Sequence, residues 1–385
     1  MNPEQQSVEF IQRLVKQPSL SGQEDGVIEL AAEEMRAVGF DDVWQDDTGN
    51  LVGELKGELP GLKVIFDAHV DVVPATTPEA WERPPFSGVL EKGRIWGRGA
   101  TDNKGSLSAM ITGLAALPRS ELPGAVYVVG SVGEEKFEGI GLSQVVDALK
   151  PDFVVVGEPT DCRLGFAQRG RVRLVFSVKG EAAHSSADDQ SANAVYAMSR
   201  LIEALEKHPI PKDSRLGLGI QAPIELISSP YPSASTVPVE CRLTVDRRLV
   251  LGETEESILA EYQKAISKIK NASVEIDIVT YTSYNGKQLI ASDFHPAWVT
   301  EPASVFIQAC IGALQSVDIP PELYPIPYCT NASYSAGVAG IPAVVFGPGS
   351  ITQAHAINEY LEVAELHRAI RGYQSIARLV GKSNG

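Results

Sequence analysis

Apolar runs and helical repeats alternate along the first part of the chain. They predict a strand at Lys63–Val73, a helix at Lys104–Leu117, a strand at Ala125–Val132, a helix at Leu142–Leu149 and a strand at Phe153–Val156. Strands that are almost continuously apolar are buried on both faces, because helices cover the sheet from either side. This alternation therefore predicts an α/β layer.

Two helices are predicted ahead of the first strand. Val8, Ile11 and Leu14 share one helical face, as the 3.6-residue period requires. Ser21 followed by Glu24 resembles a capping box for the second helix, and we expect the following Gly39 to end it.

The pattern changes after Gln168, where side chains begin to alternate as in a half-exposed antiparallel strand. The predicted elements are strands at Val172–Val178, Leu216–Ile227, Thr236–Arg248 and Val274–Thr280, with helices at Asn193–Glu206 and Glu253–Lys270. Their order, β-α-β-β-α-β, is the ferredoxin-like pattern. This stretch is therefore expected to form an α+β domain of its own.

The α/β pattern returns after Pro296, with a helix near Ala303–Gln315, a strand at Ala343–Phe346 and a helix at Val363–Val380. A chain of 385 residues is also longer than one hydrophobic core usually serves. We therefore expect an α/β domain formed by residues 1–168 and 286–385, interrupted by an inserted domain at 169–285.

Charge and composition exclude several classes of protein. The chain has 33 basic and 49 acidic residues, a formal charge of −16, and phosphates of a nucleic acid would be repelled. The sequence contains no run of about 18 apolar residues, so no membrane span is predicted. The first residues lack the profile of a signal peptide, and the four cysteines are widely spaced. The expected location is the cytoplasm.

Histidines and carboxylates follow the predicted strands. They are His69, Asp71, Asp102, Glu134, Glu135, Glu158 and His355. Each has an ordinary alternative when taken singly: a core histidine, a helix N-cap, a solvated carboxylate or a surface histidine. Burying such groups without compensation costs several kcal/mol apiece. Together, two histidines and three carboxylates at strand ends predict a site for two metal ions that share a bridging carboxylate, with zinc well suited to it.

Two local arrangements sharpen this prediction. A histidine ligand usually gives its second ring N–H to a carboxylate, which Asp71 could supply to His69. Of the neighbours Glu134 and Glu135, one can bind metal while the other reaches a water molecule. A nucleotide-dependent enzyme is disfavoured, because Lys104-Gly105 is in the wrong order for a phosphate loop.

These segments together resemble the co-catalytic zinc family of acetylornithine deacetylase, succinyl-diaminopimelate desuccinylase, carboxypeptidase G and aminoacylase. The motifs that carry the resemblance are His69-Val-Asp71, Gly97–Gly105, Glu134-Glu135, Gly157–Thr160 and Ala354-His355. The likeness covers nearly the whole chain. It implies a zinc-exopeptidase-like α/β catalytic domain with an inserted ferredoxin-like domain that forms a homodimer.

The resemblance also implies roles for the metal ligands. His69 and Glu158 would bind one metal ion, and Glu135 and His355 the other, with Asp102 bridging both. The two ions would be divalent, most simply zinc, with cobalt or manganese as alternatives.

Three further residues take catalytic roles from the resemblance. Asp71 would orient the histidine ligand, Glu134 would be the general base, and His184 would reach the active site of the partner subunit. The peptide bond Asp102–Asn103 is expected to be cis, as is typical of the family.

The substrate contacts are matched less closely. Arg248 corresponds to an arginine that binds a substrate carboxylate, and Arg247 is its rival. Thr330 and Asn331 stand where the family commonly has Thr-Asp, and Ser235 stands where relatives carry asparagine. The acyl preference of relatives therefore does not transfer to this chain.

The expected activity is a metal-dependent amidohydrolase that removes an acetyl-like or succinyl-like group from an amino acid. The substrate would be an N-acyl amino acid or a short peptide. A dipeptidase, carboxypeptidase or aminopeptidase that uses the same site is the alternative. A non-catalytic binding protein with the same fold is a more remote one.

Overall fold

The computed structural model describes residues 2–186, 192–232 and 235–380. The chain divides into two compact units. The first unit comprises Met1–Gln168, Thr280–Ile290 and Val299–Gly385, and the second comprises Arg169–Val279 and Ala291–Trp298. The expected boundary at 285/286 falls inside Thr280–Ile290, a segment of the first unit.

The first unit is an α/β layer, as predicted. Its helices are Pro3–Lys16, Asp25–Val38, Gly105–Ala115, Ile140–Leu149, Val305–Gln315 and Val363–Val380. Strands of its main sheet include, in spatial order, Asp42–Gln45, Leu51–Lys56, Pro123–Ser131, Leu59–His69, Phe153–Val156, Ala343–Val345 and Leu164–Gln168, and Leu323–Ile326 also pairs with Leu164–Gln168. A small antiparallel sheet is formed by Val89–Glu91, Arg94–Trp96 and Tyr360–Glu362.

Four neighbouring strands at the centre of this sheet are parallel. Leu59–His69 lies between Pro123–Ser131 and Phe153–Val156, and Phe153–Val156 also pairs with Ala343–Val345. The register places His69, the last residue of the strand Leu59–His69, opposite Ser131. The carboxyl ends of these strands therefore meet at one edge of the sheet, where open α/β folds bind their ligands.

The N-terminal helices illustrate how local sequence fixes element ends. Asn2 caps the first helix by accepting a hydrogen bond from Glu4 N at 3.1 Å. Gly39 ends the second helix in a left-handed conformation, as predicted. The predicted capping box is wrong, because the Ser21 hydroxyl donates to Asp71 and Glu24 accepts from Tyr281.

The second unit has the predicted order β-α-β-β-α-β. Its strands are Gly170–Lys179, Ile220–Ser229, Glu240–Leu249 and Ala272–Ile276, and its main helices are Ala194–Glu206 and Glu255–Ile266. The sheet is antiparallel. Side chains of the strands and of both helices form one apolar core, which includes Phe176, Leu201, Leu243 and Tyr262.

One predicted strand is divided. The run Val274–Thr280 is split at Asp277, so that Ile278–Thr282 forms a separate hairpin with Gln288–Ser292. Short strands at Lys212–Asp213, Gly217–Leu218 and Phe294–His295 complete the second unit. Among the described residues, no helix has the length and apolar character needed to cross a membrane.

Candidate metal centre

His69 lies at the centre of a cluster of buried carboxylates. Its Nε2 is 3.0 Å from Asp102 Oδ1, 3.8 Å from Glu158 Oε1 and 4.0 Å from Glu134 Oε2. Its Nδ1 is 3.0 Å from the backbone oxygen of Asp71 and 3.5 Å from Oδ1 of the same residue. The ring is therefore oriented from one side and surrounded by acids on the other.

A second histidine approaches the same carboxylates from another loop. His355 Nε2 is 3.1 Å from Glu135 Oε2 and 3.4 Å from Asp102 Oδ2. Asp102 thus directs one oxygen toward His69 and the other toward His355. This is the geometry expected of a carboxylate that bridges two metal ions.

The Asp71 carboxylate organises the loop that follows the strand Pro123–Ser131. Its two oxygens accept the backbone N–H groups of Glu134 and Glu135, each at 3.1 Å. The Ser21 hydroxyl adds a third bond at 2.7 Å. Asp71 therefore contacts the first histidine and also holds the two consecutive glutamates in place.

The turn that carries Asp102 is held by Glu359. This fully buried carboxylate accepts N–H groups from Gly99, Thr101 and Asp102 at 2.9–3.1 Å. It also pairs with Arg98 Nη1 at 2.7 Å. The peptide bond after Asp102 is cis, as the resemblance implied.

The site contains more negative charge than its surroundings compensate. Burial raises the pKa of Glu134 well above its usual range, against the opposing effect of His69. Burial likewise raises the pKa of Glu158 well above its usual range and raises that of Glu135. Burial would also raise the pKa of Asp102, but the hydrogen bond with His69 lowers it below its usual value.

The pKa values of the two histidines are also raised, by the neighbouring carboxylates. Burial alone would lower the pKa of His69, but Glu134 and Asp102 raise it well above its usual value. The hydrogen bond with Glu135 raises the pKa of His355 against a smaller effect of burial. The raised pKa values of the three glutamates and two histidines are those expected of a cluster whose negative charge a cation should neutralise.

The donor set fits a divalent metal ion. Ligand atoms of His69, Asp102 and Glu135 all lie within 4.8 Å of one another. Glu158 and His355 approach members of this group closely, as their distances to His69 and Asp102 show. Imidazole and carboxylate ligands suit zinc, cobalt and manganese. The first unit thus carries a candidate metal-binding site.

The remaining predicted site residues occupy different settings. His184 is exposed in the second unit, with Nδ1 2.7 Å from Ser186 Oγ. Arg248 is partly exposed there and lies 3.3 Å from Asp246. Its rival Arg247 is fully buried and bonded to Glu253, Glu261 and Tyr262, so it serves the core of the second unit.

Thr330 and Asn331 are buried in the first unit and engaged by other protein groups. The Thr330 hydroxyl donates to Gln168 Oε1 at 2.6 Å. The Asn331 amide donates to Asp67 and Ser131, each at 2.9 Å, and accepts from Gly139 N at 2.7 Å. Their predicted substrate contacts stay predictions, but their polar atoms are already used within the unit.

Sequence reasoning overlooked the residues that hold the ligands. Glu359 lies four positions after His355, but nothing in its local pattern shows that it reaches the turn near Asp102. Ser21 and Glu24 were misread as a helix cap. No local pattern indicates the role of Tyr281, because its contact with Glu24 spans 257 positions.

Comparison with known proteins agrees with the fold and the site. The profile described as peptidase family M20/M25/M40 matches residues 65–379. Protein YgeY of Escherichia coli (strain K12) is 31% identical over 359 residues, which cover 91% of this chain and 88% of YgeY. The succinyl-diaminopimelate desuccinylase of Cereibacter sphaeroides is 26% identical over 369 residues, covering 92% and 93%.

Solved structures share the architecture. Aminopeptidase PepT from Bacillus cereus has a TM-score of 0.76 at 18% identity, with 98% of both chains covered. The YXEP protein of Bacillus subtilis, described as a dinuclear metal binding peptidase of the M20 family, has a TM-score of 0.73 at 15% identity over 99% of both chains.

Fold and donor set together define a metallohydrolase. The chain belongs to peptidase family M20/M25/M40. The predicted resemblance and the predicted fold class are both confirmed.

Proposed function

We propose that the chain is a dinuclear metal-dependent amidohydrolase that removes an acyl group, acetyl-like or succinyl-like, from an amino acid. The observation that carries the proposal is the convergence of His69, Asp102, Glu135 and His355, with Glu134 and Glu158 beside them. The similarity to a desuccinylase over most of the chain favours a deacylase.

The ligand assignment follows the geometry. Asp102 would bridge two divalent ions, one held with His69 and Glu158 and the other with Glu135 and His355. Zinc is the simplest choice, with cobalt or manganese as alternatives. Bound ions would lower the pKa of water and polarise the acyl carbonyl.

Glu134 is the general base of the proposal. It is buried at 7% exposure, and its carboxylate lies beside His69. It takes a proton from the attacking water as the oxygen bonds to the acyl carbon, and returns it to nitrogen as the C–N bond breaks. The products are a carboxylate and a free amino acid. Asp71 supports this chemistry by fixing the backbone of Glu134 and the ring of His69.

The second unit would contribute in trans. We propose that His184 of one subunit stabilises the oxyanion in the site of its partner. Arg248 would bind the carboxylate of the amino acid and set the reacting geometry. Asp246 lies 3.3 Å from the Arg248 side chain and would have to share it with substrate.

A homodimer is supported by an exposed strand. In the described part of the second unit, Ile220–Ser229 stands at the edge of the sheet and pairs with Glu240–Leu249. Ile224 and Leu226 on this strand are 52% and 56% exposed. An apolar edge strand is a template for pairing with another chain, so we place the dimer contact here. The cytoplasm remains the proposed location.

The test combines a variant of the proposed general base with a panel of amide substrates. Glu134→Ala should retain the metal content of the native protein and lose at least about a hundredfold in turnover, as expected for a general base. N-acetyl and N-succinyl amino acids assayed against dipeptides separate a deacylase from a peptidase. Native turnover in the Glu134→Ala variant would exclude Glu134 as the base, and a native protein active without metal would refute the scheme.

A further inference from the structure

A hairpin from the region of the inserted domain belongs to the first unit. The segment Thr280–Ile290 is part of the first unit, although the chain on either side of it belongs to the second. Its turn is closed by Ser283 N donating to Lys287 O at 2.9 Å. Two tyrosines of this hairpin, Tyr281 and Tyr284, contact the rest of the first unit.

The Tyr281 ring packs against the backbone of Gly133. A Cβ atom at Gly133 would lie 2.6 Å from Tyr281 Cζ and 2.8 Å from Cε1, so only glycine leaves room for the ring. The residue also has a φ of +73°, which favours glycine. The Tyr281 hydroxyl donates to Glu24 Oε1 at 2.8 Å, and both side chains are buried.

Gly133 directly precedes Glu134 and Glu135. Their N–H groups are fixed by Asp71, so the Asp71 carboxylate and the Tyr281 ring both act on this short loop. A shift of the Gly133 backbone would move both glutamates, because their peptide units are joined to it directly.

We propose that Tyr281 is a positioning residue for the metal centre, whose ring fixes the Gly133 turn and thereby the carboxylates of Glu134 and Glu135. Glu24 holds the ring in place through the tyrosine hydroxyl. The base role of Glu134 rests on the proposed function, whereas the placement of Glu135 as a ligand can be measured without any substrate.

Tyr284 on the same hairpin provides a matched control. Its ring is seated on Gly49, where a Cβ atom would lie 2.6 Å from Cε1 and φ is +99°. Its hydroxyl donates to Gly49 O at 2.9 Å. Gly49 lies in the turn between Asp42–Gln45 and Leu51–Lys56, which carries no residue of the metal centre.

The experiment compares Tyr281→Leu with Tyr284→Leu in the full-length protein. Tyr281→Leu removes a buried ring and Tyr284→Leu a partly buried one, so both variants should unfold at a lower temperature. Tyr281→Leu should also weaken zinc binding by about tenfold or more, the loss expected when a supporting residue of a metal site is changed. It should alter the visible spectrum of the cobalt-loaded protein and lower kcat more than it raises KM. Tyr284→Leu should match the native protein in all three.

Two further variants keep the test decisive if Tyr281→Leu does not fold. Tyr281→Phe keeps the ring but loses the bond to Glu24, so it should weaken zinc binding less than Tyr281→Leu does. Gly133→Ala places a methyl group against the ring and should also weaken zinc binding. Equal zinc affinities in Tyr281→Leu, Gly133→Ala and the native protein would overturn the proposal, as would an equal loss in Tyr284→Leu. If the native protein hydrolyses none of the amides tested, the proposed function fails, and the zinc affinities still decide the role of Tyr281.

Discussion

Asn331 joins three parts of the first unit through one amide group. It donates to Asp67 on the strand Leu59–His69 and to Ser131 at the end of the next strand, and it accepts from Gly139. Asp67 is fully buried, and burial raises its pKa to about 6 although the bonds from Asn331 and Ser131 oppose the rise. A donor is therefore needed at position 331, and a carboxylate there would meet a second buried acid.

Asn331→Asp should destabilise the protein by about 3 kcal/mol at pH 8, the scale of an uncompensated buried charge. A proton held between the two carboxyls would replace the missing donor. The variant's carboxyl pair therefore binds protons more tightly in the folded chain than in the unfolded chain. Its free energy of unfolding should fall as pH rises through about 6 and above. Urea denaturation at pH 5 and pH 8 measures both effects.

The double variant Asp67→Asn, Asn331→Asp is the control for this prediction. It exchanges donor and acceptor across the same contact and should recover most of the lost stability, because contacting residues are energetically coupled. If the double variant loses as much free energy of unfolding as the two single variants combined, the contact between positions 67 and 331 does not explain the effect.

Residue identities were more predictable than their partners. His69, Asp102, Glu135 and His355 could be found because polar groups after apolar strands are conspicuous in a sequence. The residues that hold them could not, because a hydrogen bond such as that from Asp102 N to Glu359 joins positions 257 apart. The local sequence pattern does not indicate such a contact. The capping box predicted at Ser21 is wrong for the same reason, because Ser21 bonds to Asp71, 50 positions away.

At the scale of elements, one buried carboxylate shapes the turn that presents Asp102. Glu359 Oε1 accepts two N–H groups, and Oε2 accepts one N–H group and the guanidinium of Arg98. Burial raises the pKa of Glu359 to about 7, although Arg98 opposes the rise. Glutamine at this position would replace one oxygen by a donor that faces two other donors.

Glu359→Gln should therefore weaken zinc binding by about 10- to 100-fold, as changes to partners of metal ligands commonly do. It should also lower the unfolding temperature, since Arg98 would be buried without its counter-charge. Competition with a chromophoric chelator measures the affinity. Glu362→Gln is the matched control, because Glu362 pairs with Arg94 at a partly exposed site. Equal zinc affinities in both variants would contradict the assigned role of Glu359.

Element types were predictable where periodicity was strong, and their ends were not. The central strands and the β-α-β-β-α-β order of the second unit follow from alternation and apolar runs. The hairpin at Ile278–Thr282 and Gln288–Ser292 was missed. Burial alternates along Ile278–Thr282, but exposed positions such as Ile278 and Ile290 are apolar too, so the sequence does not show which face is buried.

At the scale of the whole molecule, sheet order explains why distant residues meet. The parallel strands ending near His69, Ser131, Val156 and Val345 are neighbours in the sheet, and each is followed by a loop or turn at the same edge. Proposed ligands that lie up to 286 positions apart, from 69 to 355, are thereby brought together without any long-range sequence signal. The second unit is built around its own core, and its exposed strand is the proposed dimer contact.

Leu226→Lys should convert a native dimer into a monomer, because a symmetric contact places the new charge near its own copy in the partner subunit. The monomer should keep its zinc and lose turnover, since His184 would no longer reach a neighbouring site. Val338→Lys, at a residue 60% exposed in the first unit, is the matched control and should remain dimeric. Sedimentation equilibrium measures the assembly, and a Leu226→Lys variant that stays dimeric would exclude this strand as the contact.

Mixed dimers test whether the second unit works in trans. His184→Ala and Glu134→Ala should each be inactive alone, because each lacks one group that the reaction needs. In a mixed dimer, the subunit with Glu134 intact receives His184 from its partner, so one of the two sites is complete. Random exchange of equal amounts should therefore restore about a quarter of the native activity, since half of the dimers are mixed. No recovery after subunit exchange has been demonstrated would mean that His184 does not act across the dimer.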